Sequence, residues 1–119
     1  PDSTVVVTGE SVTAPVDAAR IARILANLTD NALRHGPPDG VVTVDVRDAG
    51  ATATIRVSDE GPGIDAEDHE RIFDRMVRLD SARTSEGSGL GLTIARTYAR
   101  AHGGDVVYDG TAFVLSVPR

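Results

Sequence analysis

Three short stretches carry residue types and spacings that can do chemistry. In LANLTDNALRH, Leu25 to His35, two carboxamides stand four residues apart, ahead of Arg34 and His35. If the stretch is helical, Asn27, Asn31, Arg34 and His35 fall within about 100° of arc, beside an apolar stripe of Ile21, Leu25, Leu28 and Ala32. Glu and Lys form helices better than Asn, so a merely solvated face would more usually carry those. A carboxamide oxygen is a hard ligand suited to Mg²⁺, an ion that keeps several waters and takes further ligands from phosphates. Two amides one turn apart, followed by Arg34, suit a metal-triphosphate lying along a helix. Surface asparagines on a tolerant face are the plainer alternative.

The second stretch is SDEGPGID, Ser58 to Asp65. In the run Thr52 to Asp59, Ala53, Ile55, Val57 and Asp59 share one face, and Thr54, Arg56 and Ser58 share the other. The acid therefore ends a core-facing row, where an unpaired carboxylate is costly and needs a donor. An exocyclic amino group such as the N6 of adenine is one such donor, and Gly61 and Gly63 let the backbone turn or approach a ligand closely. A plain turn is the alternative. A calcium loop needs oxygens spaced over a dozen residues, and only Asp59, Glu60 and Asp65 stand nearby.

The third stretch, EGSGLGLTIA from Glu86 to Ala95, is a glycine-rich turn feeding an amphipathic helix. Backbone N–H groups there, helped by the helix dipole, can receive an anion. It is not a GxxxxGK[ST] loop, and the upstream RLDSARTS is no strand of a dinucleotide-binding unit. A flexible helix entry explains it equally well in isolation.

The elements that must position these stretches can be read from periodicity. Val5 to Thr8 is a short strand, and Pro15-Val16-Asp17 leads into a helix running to about His35. Gly36 to Gly40, GPPDG, stops that helix and opens a turn. Val41 to Arg47 and Thr52 to Asp59 are strands joined by DAG. A short helix over about Glu67 to Phe73 follows, then a polar, aperiodic segment from Arg78 to Gly87, then a helix from about Leu90 to Ala101. The closing GGDVVYDGTAFVLSVPR is a hairpin turning near Asp109-Gly110. This order predicts an α/β sandwich with helices on one side of a mixed sheet.

Composition narrows the classes. At 119 residues the chain is expected to be one domain with one modest core. With no cysteine, disulfides, thiolate metal sites and a cysteine nucleophile are excluded. The net charge of −6 argues against a general nucleic-acid or acidic-membrane binder, although Arg75, Arg78 and Arg83 lie close together in sequence. No apolar run is long enough to span a bilayer, and PDSTVVVTGE lacks the features of a signal peptide. The expectation is a soluble domain, cytoplasmic or cut from something larger.

In order along the chain, the three stretches resemble the ATP-binding (catalytic) domain of sensor histidine kinases. That family is related to the ATPase domains of Hsp90-type chaperones, type II topoisomerases and mismatch-repair proteins. NLTDNALRH resembles its N box, DEGPGI its first glycine box, IFDRM its F box and GSGLGL its second glycine box. The resemblance covers essentially the whole chain. It implies a left-handed βαβ (Bergerat-type) sandwich with a mixed, largely antiparallel sheet, binding ATP and Mg²⁺ between the N-box helix and a flexible lid over about residues 78–88.

By the same resemblance Asn31 is the principal Mg²⁺ ligand, with Asn27 assisting, and Arg34 contacts phosphate. His35 packs beside adenine, Asp59 reads the adenine amino group, Gly61 and Gly63 are pocket backbone, and Ile64 neighbours the base. Gly87, Ser88, Gly89 and Gly91 lie on the phosphate side, Leu90 and Leu92 anchor the lid hinge, and Arg78 approaches the triphosphate on closure. The chain departs from the family pattern at Met76, where a second phenylalanine is usual. Its final hairpin is also several residues shorter than the family often has.

Asn27 discriminates among family members. ATP-hydrolysing relatives and the anti-sigma-type serine kinases typically carry a glutamate there as general base; an amide cannot remove that proton. A histidine substrate already offers a nitrogen lone pair. The sequence thus favours the histidine-kinase member over those relatives and over a non-catalytic nucleotide-binding module. None of its own histidines suits the acceptor role: His69-Glu70 lacks the following proline and falls in the F-box helix, His102 reads as a helix cap, and His35 belongs to the pocket. The expected partners are a histidine-bearing dimerisation domain, in cis or on a separate protein, and a response regulator downstream.

Overall fold

A computed structural model describes residues 4–37, 40–73 and 91–119. Strand β1 (Thr4–Gly9) is followed by helix α1 (Ala18–His35), strands β2 (Val41–Asp48) and β3 (Thr52–Ser58), helix α2 (Gly91–Ala101), and strands β4 (Asp105–Tyr108) and β5 (Phe113–Pro118). The sheet order is β1-β2-β3-β5-β4. Only β1 and β2 are parallel, joined by the α1 crossover; the other three pairings are antiparallel. This is the mixed, largely antiparallel sandwich that the alternation and the motifs predicted.

Local chemistry sets the limits of α1. The Asp17 carboxylate accepts from the Arg20 N–H at 3.2 Å and caps the start. At the other end Arg34 and His35 occupy the last turn, where the dipole favours cations, and the Gly36 N–H donates to Ala32 O. The buried face of α1 is Ile24, Leu28 and Ala32, with Ile21 and Leu25 partly buried beside it. Ile24 was missing from the sequence-derived stripe. It lies on the side of that stripe nearer the asparagines, so the polar face begins at the margin of the core.

Alternation in the strands supplies the opposing layer. Val42, Ala53, Val57, Val106, Phe113, Leu115 and Val117 are buried under the helices, and α2 contributes Ala95 and Ala99 at full burial. Each large apolar side chain so buried is worth about 1.5–3 kcal/mol. Registers of 41–46 against 4–9 place Val5 and Val7 on this same face as Val42 and Val44, yet they remain 45% and 70% exposed. Helical cover ends at β2.

One sequence-derived element is corrected. Instead of a single helix over Glu67 to Phe73, two 3₁₀ turns form, Ala66–Asp68 and Arg71–Phe73. Their closing bonds, His69 N–H to Ala66 O and Phe73 N–H to Glu70 O, span three residues. A segment this short gains too few i→i+4 bonds to offset α-helix nucleation.

Candidate functional site

Helix α1 is the platform. Asn27 and Asn31 are both half-buried. The Asn27 amide nitrogen donates to Gly91 O at 3.1 Å, tying the helix to the first turn of α2. This bond uses the amide group and leaves the carbonyl oxygen of the same side chain for another role. Asn31, one turn on, makes no side-chain hydrogen bond to another described residue. Arg34 lies 3.3 Å from Asp30 across one helical turn. Burial, with the Arg34 guanidinium adding to it, holds the half-buried His35 imidazole below its ordinary pKa of 6.5, while the Asp59 carboxylate pulls the other way.

Asp59 follows the last residue of β3 and is brought against the C-terminal end of α1. Its Oδ1 accepts from the Gly61 N–H at 2.6 Å, folding the DEG turn onto itself. The packing leaves no room for side chains at two glycines. A Cβ at Gly61 would lie 2.7 Å from His35 O, and one at Gly36 would lie 3.2 Å from the Asp59 Cβ. Gly63 has φ +85°, a left-handed conformation that glycine adopts without strain. The neighbouring Glu60 is directed elsewhere: its carboxylate accepts from the Val41 N–H at 2.8 Å and pins the turn to β2. Of the two adjacent acids, only Asp59 sits under the helix end.

The arrangement is a rim about 12 Å long, from Asn27 to His35 at 1.5 Å per residue. The start of α2 meets one end and the Asp59 turn meets the other. A shallow recess open to solvent lies beside Asp59, lined by Ala32, Leu33, Gly36, Val42 and Glu60 among others. It does not reach Asn27 or Asn31.

The fold therefore brings together Asn27, Asn31, Arg34, His35, Asp59, Gly61 and Gly91 along one edge. Ile64 and Leu92 are partly buried and packed against the core. The residues Arg75, Met76, Arg78, Arg83, Gly87, Ser88, Gly89 and Leu90, with the lid assigned to about 78–88, lie outside the described residues. His102 is the cap the sequence suggested: its Nδ1 pairs with Tyr98 O at 2.9 Å, and its Nε2 accepts from the Asp17 N–H at 3.0 Å.

Sequence reasoning missed three contributors. Tyr108 accepts from the Ile64 N–H at 3.2 Å and His69 Nε2 pairs with Ile64 O at 2.9 Å, so both reach the glycine turn from behind. Thr93 donates to Phe73 O at 2.7 Å. A histidine six residues past Gly63 is the one available signal, and in sequence it reads only as a candidate phosphate acceptor. Tyr108 gave none, since in VVY it is simply the third apolar residue of a strand.

Residues 16–119 match the family described as histidine kinase-, DNA gyrase B-, and HSP90-like ATPase. The sensor histidine kinase WalK of Bacillus subtilis is 41% identical over 112 residues, 87% of this chain and 18% of WalK. The signal transduction histidine-protein kinase/phosphatase MprB of Mycobacterium avium is 44% identical over 112 residues, 86% of this chain and 22% of that protein. Among solved structures, a mycobacterial sensor histidine kinase MprB superposes with a TM-score of 0.89 at 32% identity, over 98% of this chain and 84% of the other. Full-length ShkA in complex with AMPPNP gives 0.75 at 27% identity, over 95% of this chain and 24% of ShkA. The chain spans about a fifth of the length of the curated relatives it matches. No helix among the described residues is long and apolar enough to cross a membrane.

Proposed function

The chain belongs to the histidine kinase-, DNA gyrase B-, and HSP90-like ATPase family, and from that premise we propose that it binds Mg-ATP and donates the γ-phosphoryl group to a histidine on another domain or partner. The observation that carries this reading is the α1 rim, with Asp59 under one end and the asparagines leading to the start of α2 at the other. An adenine amino group donating to Asp59 at one end would set the triphosphate along Asn31 and Asn27 toward α2. Asn31 and the carbonyl of Asn27 fit a magnesium ion, since both offer neutral hard oxygens beside a polyphosphate path. When bound, the ion supplies charge neutralisation on the phosphate oxygens.

The chemical step this site serves needs little from protein side chains beyond positioning. The bond from the γ-phosphorus to the β–γ bridging oxygen breaks, a P–N bond forms to the acceptor imidazole, and ADP leaves with the electron pair. The acceptor nitrogen attacks through its own lone pair, so no carboxylate base is required at position 27. The hydrogen bond from Asn27 to Gly91 O supports this against a hydrolase or serine kinase, because a carboxylate there has no proton to donate to that carbonyl. The acceptor domain and the response regulator lie on the larger protein or on separate chains, and a cytoplasmic setting fits this chemistry.

The test is equilibrium binding of ATP to the chain with and without Mg²⁺, followed by γ-labelled ATP with and without a helical histidine domain. We expect magnesium-dependent binding that Asn31→Ala weakens, negligible ATP hydrolysis, and acid-labile label only when the histidine domain is supplied. The same magnesium dependence in wild type and Asn31→Ala would reject the metal site. Acid-labile label on the chain alone would overturn the need for a partner.

A further inference from the structure

Ile64 follows the second glycine of the DEGPG turn, and both of its backbone polar groups are held by side chains from elsewhere. The Tyr108 hydroxyl takes the N–H at 3.2 Å, and His69 Nε2 meets the carbonyl oxygen at 2.9 Å. The two rings meet edge to face, with centroids 4.9 Å apart, and Tyr108 packs in turn on Phe113 at 5.0 Å. Tyr108 is buried and donates onward to Gly110 O at 3.4 Å. Gly63 lies directly against this pair: a Cβ there would stand 3.2 Å from the phenol oxygen. The glycine turn thus has Asp59 and the end of α1 at its start, and a histidine–tyrosine bracket rooted in the core at its end.

We infer that His69 and Tyr108 are positioning residues for nucleotide binding, holding Gly61 to Ile64 in the geometry that presents Asp59 to the base. The reason is mechanical. Gly61 and Gly63 leave the turn many backbone conformations, and fixing one of them costs entropy that a bound base would otherwise have to supply. Asp59 Oδ1 is anchored only to Gly61 within its own turn, so its direction follows the backbone of 61–64. Two hydrogen bonds to a single residue fix that backbone beforehand, which is preorganisation of the site. Burial pushes the Tyr108 phenol up from its usual range, with the Ile64 N–H opposing and the Asp59 charge adding to the rise, so the hydroxyl stays protonated and keeps its donor to Gly110 O.

This inference rests on the ATP reading, and its test keeps the two apart. Tyr108→Phe removes one oxygen and leaves the ring packing. His69→Leu removes the donor to Ile64 O, and His69→Gln restores an N–H near the position of Nε2. Calorimetric titration with ATP and with ADP should show about three- to tenfold weaker binding for Tyr108→Phe and for His69→Leu, the range of one ordinary hydrogen bond. His69→Gln should recover most of the loss. The deficit should be the same for ATP and ADP and independent of Mg²⁺, because it arises at the base and not at the phosphates. A role in stability alone would lower the melting temperature without the glutamine rescue or the shared ATP and ADP deficit. If wild type fails to bind ATP, the nucleotide reading falls and this inference with it. If wild type binds and both Tyr108→Phe and His69→Leu bind equally well, this inference alone is overturned.

Discussion

Asp48, Asp59 and Asp109 each stand at the end of a strand of the same sheet and lead into a turn containing glycine, yet Asp59 and Asp109 are used in opposite ways. Asp109 follows β4 and is saturated by its own turn. Its Oδ1 accepts from the Thr111 N–H at 2.9 Å, the Thr111 hydroxyl at 3.0 Å and the Ala112 N–H at 2.9 Å. Its Oδ2 pairs with Arg56, reaching across from β3. Asp59, beyond β3, accepts one bond among the described residues, from Gly61. A carboxylate offers about four acceptor positions, so Asp109 spends them on the fold and Asp59 keeps most of its own for something else. An acid before a glycine turn is thus not marked by its motif as saturated by the fold or as left with open acceptor positions. The full set of donors the fold brings to the carboxylate makes that distinction: Asp48, with one donor in its turn, is also paired with Arg119 at 2.7 Å.

The sharpest way to break the comparison is to remove each acid and read both properties. Asp59→Ala should cost about 2–5 kcal/mol in ATP binding, the scale for truncating one partner of a buried polar pair, and should leave GTP affinity little changed. Asp109→Ala should leave ATP affinity alone. Calorimetry on the two folded variants decides it. Wild-type ATP affinity in Asp59→Ala, or a matching loss in Asp109→Ala, would dissolve the distinction.

Stability should show the reverse order. Asp109→Ala strips acceptors from two backbone N–H groups and unpairs Arg56, whose exposed half of the pair contributes little. We expect about 1–2 kcal/mol of destabilisation, read as a shift in the urea midpoint at constant slope. Asp59→Asn keeps an oxygen for Gly61 and should move the midpoint far less. Acid titration sharpens this further. Burial alone would raise the Asp109 pKa, but the Thr111 N–H, Arg56, the Ala112 N–H and the Thr111 hydroxyl together hold it well below the usual 3.8. The stability Asp109 supplies is therefore fully present above pH 3.8 and is lost as pH falls through its folded-state pKa. An Asp109→Asn variant should be less stable than wild type at neutral pH and should lose less on acidification.

Much of this fold was legible because period and punctuation agreed. The two-residue alternation of Ala53, Ile55 and Val57 placed Asp59 on the core-facing row, and Asp109-Gly110 marked a real turn. The limits of α1 followed from Asp17 and Gly36. What was hidden depends on contacts distant in sequence. Tyr108 reaches Ile64 across 44 residues, and nothing in VVY announces that its hydroxyl will be needed. Gly36 reads as a helix stop, and only the packing shows that it also makes room for the Asp59 Cβ. Arg96 is likewise silent in IARTYAR, although it joins Glu70 at 2.9 Å and Asp105 at 3.0 Å and lies over the Phe73 ring. The helix expected over Glu67 to Phe73 failed for a local reason. The segment is too short to offset helix nucleation and closes in 3₁₀ turns, with His69 paired to Ile64 O.

The smallest effect tests the charge at Asp59 without any ligand. Burial lowers the His35 pKa, Arg34 lowers it further, and the Asp59 carboxylate raises it. Because the folded-state value lies below 6.5, stability from neutral His35 is complete above that pH and declines as pH falls toward the folded-state pKa. Replacing Asp59 by Asn removes the opposing charge, so the His35 pKa should drop again and the decline, which still begins near 6.5, should continue to lower pH. Asp109→Asn should leave it where it is. NMR titration of the His35 ring in wild type and the two variants gives the order directly. A downward move in Asp59→Asn alone places the unspent carboxylate beside the end of α1; equal values in all three would mean that the charge is screened there and that Asp59 faces solvent.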